Sequence, residues 1–140
     1  MIMPKILNRW FSRADSLKAL AQGVQGAMGM RDFEQVNLLL EQMEGMLGSH
    51  FGPRLAESLA ELRLVIVSDR SFDKMLEFLE IDGKIMLVET IDFFSRYPRI
   101  NRRSDGGMFP KDLLDFLNKL SQRLDSEKKA VENLIALMPS

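Results

Sequence analysis

His50 is the one histidine of the chain, and it stands in the break GSHFGP, residues 48–53. Imidazole is the side chain best suited to moving protons near neutral pH. As a metal ligand it needs companions, yet the chain has no cysteine, and no carboxylate lies three or four residues from His50. The spacing predicts a loop histidine stacked near Phe51. Carboxylates come in pairs three apart: Glu41/Glu44, Glu77/Glu80 and Glu89/Asp92. On a helix each pair shares a face, where two carboxylates can hold a divalent ion or divide acid and base roles. The solvated face of any amphipathic helix gives the same spacing. No Glu-x-x-His pair occurs, so no di-iron pattern follows. Gly23, Gly26 and Gly29 follow no strand and precede no Gly-Lys-Ser/Thr, so they form no phosphate loop. Lack of cysteine also removes disulfides, thiolate nucleophiles and iron–sulfur ligation. The sequence predicts a protein that is not an enzyme and uses no metal and no cofactor.

Three features suit binding instead. The stretch RYPRINRRSDGGMFP carries Arg96, Arg99, Arg102 and Arg103 with Tyr97 among them. Such a loop can grip phosphates and stack a base, or recognise an acidic protein surface. Its arginines can also pair with the chain's own acids. The start of the chain places Ile6, Leu7, Trp10 and Phe11 on one helical face, with Lys5, Arg9 and Arg13 on the other. That composition suits a membrane surface, a partner groove or the chain's own core. Ten methionines, among them Met28, Met43, Met75, Met86 and Met108, suit a groove that adapts to varied partners, or ordinary core filling.

These residues need elements to carry them, and the periodicity is helical nearly throughout. Phe33, Val36, Leu40, Met43 and Leu47 recur at helical spacing, with Asp32 as cap and Gln35 three residues on. Pro53 suits the first turn of the next helix, which carries Leu55, Leu59, Leu62 and Ile66. Ser71 caps a short helix with Phe72, Met75, Leu76 and Leu79, and Asp82-Gly83 reads as a turn. A further helix follows from Lys84 to Ser95, with Ile85, Val88, Ile91 and Phe94 as buried candidates. From Pro110 the pattern runs through Leu113, Leu117, Leu120, Leu124, Val131, Ile135 and Met138. A helix of that length, roughly 40 Å, should kink near Asp125-Ser126 or project past shorter neighbours.

The fold expected is all-α: a bundle of five or six helices with a long C-terminal helix. Residues 1–140 form one domain, a length able to bury a core unaided. Residues 1–14 are an amphipathic segment that the glycines after it would let swing, and residues 96–109 are an Arg/Gly loop. No apolar run approaches the roughly 20 residues of a membrane span, and no secretory signal is expected. Charge is uneven: residues 1–31 are net +4, residues 32–92 net −8, and residues 93–140 net +3. The acidic middle disfavours nucleic acid and points to basic or apolar partners. The leading expectation is a cytoplasmic protein-interaction module, an adaptor or chaperone-like accessory subunit of a larger bacterial assembly. Its partner is a protein, with an acidic surface if the arginine loop binds it, and a second copy of the chain is admitted. The alternatives are a peripheral membrane protein using the N-terminal helix and a nucleic-acid-binding regulator using Arg96–Arg103.

Overall fold

The first helix, α1 (Lys5–Gly29), turns into α2 (Phe33–His50) through three residues. Arg31 takes φ 57°, the left-handed conformation that reverses a chain at a helix end. The Arg31 N–H donates to the Met28 carbonyl at 3.1 Å, and the Asp32 N–H to the Ala27 carbonyl at 2.9 Å. These two bonds form a Schellman closure, here with arginine where glycine is usual. Asp32 then caps α2 by accepting from the Gln35 N–H at 3.2 Å. Gly52 follows α2, where a Cβ would lie 2.5 Å from the Gly48 carbonyl oxygen, so only glycine fits the turn. Pro53 opens α3 (Pro53–Val65), and α4 (Arg70–Arg96) and α5 (Phe109–Leu137) complete the bundle. The computed structural model describes residues 5–65, 70–99, 102 and 107–137. Ile66, Asp105-Gly106, Arg103, Met138 and the side chain of Ile6 lie outside the described residues.

Among the described residues the structure is all-α, five helices packed about a common core. α1 packs along α2 and also against α5 and α3, while α4 packs on α5, α2 and α3. Leu17, Val24, Leu40, Met43, Leu47, Met86, Leu113, Leu117 and Leu120 are fully buried at the centre. Phe93 of α4 stacks on Phe116 of α5, ring centroids 4.5 Å apart.

Four expectations change. Residues 5–14 are not a loose segment: Leu7 and Trp10 are 1% and 2% exposed and belong to the core. Nor do the glycines after them break α1. Ala21, Val24 and Ala27 are buried there, and a Cβ on Gly23 would meet Leu39 of α2 at 3.2 Å. Packing of small residues against α2 outweighs the poor helix propensity of glycine. Asp82-Gly83 is not a turn, because α4 runs through it unbroken. Glycine there lets α3 pack close: a Cβ would lie 2.1 Å from the tip of the Leu55 side chain, which would have to move. Finally, α5 shows no break at Asp125-Ser126. Its 29 residues are matched by the 25 of α1 and the 27 of α4, so Val131 and Leu134 near its end remain buried.

Candidate interaction surface

The arginine stretch is largely occupied by its own chain. Arg96 pairs with Asp92 at 3.1 Å and with Asp112 at 3.4 Å, and Arg99 pairs with Glu41 at 2.8 Å. Arg102 is buried rather than solvated. Its Nε donates to the Tyr97 carbonyl at 2.9 Å, and its guanidinium lies 5.6 Å from the centre of the Phe94 ring. Burial lowers its pKa. The Tyr97 hydroxyl donates to Asp112, and this bond raises the tyrosine's pKa. The stretch thus works as a clasp holding the α4–α5 connection to α2 and α5. Of its described arginines, Arg96 and Arg99 are paired with acids of the chain and Arg102 is buried.

The N-terminal docking face, Leu7, Trp10 and Phe11, is already docked on the bundle. Leu7 and Trp10 are core residues and Phe11 packs partly buried against them. Lys5 and Arg9 are among the positions that α1 shows to solvent. Leu7 and Trp10 are therefore not available to a lipid surface or a foreign groove.

His50 is the last residue of α2 and is buried, not in a loop. Its ring meets Phe51 edge-on at 4.7 Å, and its Nδ1 accepts from Arg13 Nε at 3.2 Å. Burial first, then the Arg13 charge, depresses its pKa to about 3. It is neutral at physiological pH, with no carboxylate among its partners. Among the described residues, no group of three or more His, Cys, Asp or Glu could hold a metal ion.

A second polar cluster lies between α4 and α5. Arg123 of α5 donates to Asp82 of α4 and stands 3.9 Å from Glu89. Beneath them Glu127 is fully buried. As a carboxylate it would face Asp82 with no donor between them. Burial pushes Glu127 up to about 9, helped by the bond to Asp82 and by its negative charge, with Arg123 opposing. Glu127 therefore keeps its proton at neutral pH and donates it to Asp82. A cleft of about 450 Å³, bordered by Phe78, Lys119 and Arg123, opens over this cluster.

The feature that sequence periodicity misplaced is the outer side of α4. Its buried side carries Phe72, Leu76, Leu79, Met86 and Phe93. At about 100° per residue, Phe78, Ile81, Ile85, Val88 and Ile91 fall on the opposite side. They are 41% to 65% exposed. Ile85, Val88 and Ile91, expected in the core, are thus at the surface, while Phe94 is buried as expected. The cause is Gly83: reading a turn there detached the second half of the helix from the phase of the first. Carried through Gly83, the sequence shows two apolar stripes on one helix. A helix apolar on both sides has a second surface to cover. The other exposed large apolar residues, such as Leu38, Leu64 and Leu137, stand on different helices. Nor do the methionines among the described residues form a groove: Met43 and Met86 are buried, Met30 and Met108 stand exposed in different connections.

No protein-family model, curated protein or solved structure matches this chain. No helix among the described residues is long and apolar enough to cross a membrane.

Proposed function

We propose that the chain is a non-enzymatic protein-interaction module whose contact surface is the outer face of α4. The observation that carries this reading is the stripe Phe78, Ile81, Ile85, Val88 and Ile91, apolar and exposed on a helix whose other side already serves the core. It leaves on the order of 400 Å² of apolar surface open, in the range where the largest patch of a monomer is often a binding site. An apolar stripe running between three and four turns along one side of a helix fits the apolar side of another helix. Its residues are mainly Ile and Val, stiff side chains that favour one partner geometry. That supports an adaptor or assembly subunit over a chaperone, whose promiscuous surfaces favour flexible methionine.

The test replaces Ile85 by glutamate. Folding should be unaffected, with a stability change within roughly 0.5 kcal/mol, since the side chain leaves no core position. Saturable binding to a purified partner polypeptide should be lost. If the variant, equally folded, binds every partner of the wild type with unchanged affinity, the outer face of α4 is not the contact surface.

A further inference from the structure

Resting on that reading, we propose that the outer face of α4 docks antiparallel on the α4 of a second copy of this chain. Phe78, Ile81, Ile85 and Val88 of the stripe, with Lys74 before them and Asp92 after, follow a seven-residue repeat spaced alternately four and three, and Ile91 lies at its margin. That is the spacing of a two-helix seam. Its ends carry opposite charge: Lys74 lies about 27 Å from Asp92 along the helix. The apolar residues lie symmetrically between them.

An antiparallel pairing centred on residue 83 brings every member against a fitting one. Phe78 meets Val88 of the copy, Ile81 meets Ile85, and Lys74 meets Asp92; the two-fold axis repeats each pair. Shifting the register by one heptad sets Lys74 against Ile85 or Asp92 against Ile81. Either shift strands a charge on apolar surface. A parallel pairing would leave Lys74 beside Lys74 and Asp92 beside Asp92. The antiparallel register alone satisfies all six positions.

The flanking charges are compatible. Lys84, which nears its symmetry mate, is held by Glu80 at 3.3 Å within its own chain, and Arg63 joins the same carboxylate at 3.0 Å. Asp92 is held by Arg96 at 3.1 Å but remains exposed, so a carboxylate oxygen stays open to Lys74 of the copy. The apolar area covered, on the order of 800 Å² over both chains, is below that of a standard permanent interface. The dimer is therefore reversible and forms as concentration rises.

Sedimentation velocity from about 1 to 500 µM reads this directly. The wild type should pass from monomer to dimer. Ile85→Glu should weaken the dimer roughly a hundredfold, because both copies lose a central residue. Lys74→Glu and Asp92→Lys should each weaken it about fivefold, and the double exchange should restore most of the affinity. The chain has no cysteine, so mixed Ile81→Cys and Ile85→Cys chains report register: the cross-pair should form a disulfide faster than either chain with itself. Faster Ile85→Cys self-linkage would overturn the antiparallel arrangement. A wild type still monomeric at 500 µM overturns self-association. In that case, loss of another polypeptide's binding in Ile85→Glu would leave the interaction-module reading standing, and unchanged binding would remove it too.

Discussion

Glu127 and His50 are buried titratable residues of opposite habit. Glu127 holds its proton in the folded state up to about pH 9, against an ordinary 4.5. The folded chain thus binds one more proton than the unfolded chain between those values, and stability falls as pH rises through them. Glu127→Gln copies the protonated form and can still donate to Asp82. The variant should come close to the wild type near pH 5 and exceed it by on the order of 4 kcal/mol at pH 8. Urea denaturation at both pH values checks this. Neither role was legible in the sequence. His50 was read as a loop residue beside Phe51, and the contact with Phe51 is present. Its donor, Arg13, is 37 residues away on α1, beyond any local pattern. Glu127 sits in an ordinary helical context, Asp-Ser-Glu-Lys, and only the meeting of α4 with α5 makes it a core residue.

At the scale of elements, local chemistry was readable wherever caps and breaks act over three or four residues. Asp32 with Gln35, Pro53 at the start of α3 and Pro110 in the first turn of α5 stand as the sequence indicates, while the break expected over residues 48–53 is shorter, since α2 runs to His50. What failed was the reading of glycine. Gly23 and Gly83 resemble breaks, yet each marks a place where another helix presses close, Leu39 on one and Leu55 on the other. A single sequence cannot separate a glycine that frees the backbone from one that admits a neighbour. The α1–α2 turn offers a test of the first kind. Arg31 bears the strain of the left-handed conformation, which costs a residue with a Cβ roughly 1 kcal/mol or more. Arg31→Gly should therefore stabilise the chain, by up to about 1 kcal/mol once the greater freedom of unfolded glycine is deducted. A fall in thermal midpoint would show that the arginine side chain contributes more than its backbone costs.

For the whole molecule, the two buried groups oppose each other in one pH range. His50, depressed to about 3 from 6.5, contributes stability that is lost as pH falls from 6.5. Glu127 contributes stability that is lost as pH rises above 4.5. Between about 4.5 and 6.5 the two slopes cancel. Stability should therefore show a plateau there, falling towards pH 9 through Glu127 and towards pH 3 through His50. The exposed Glu80, its pKa lowered by bonds to Arg63 and Lys84, adds to the acid limb. Thermal midpoints across pH 3–9 check this, and a maximum at pH 8 would contradict the assignment of Glu127. The all-α class was legible because helical periodicity is strong. The outward face of α4 was not, because a second apolar stripe looks like core until the first is known.

The contact of α1 with α5 bears on the order in which the molecule is made. Synthesis delivers α1 first and α5 last, with about eighty residues between Gly29 and Phe109. At roughly 5–20 residues per second, some 4 to 16 s separate the two on the ribosome. During that interval α1 can close on α2 and α3, but the surface it keeps for α5 stays bare. The nascent chain therefore exposes apolar surface at both its oldest helix and, later, along α4, and the first is covered only when the last helix arrives.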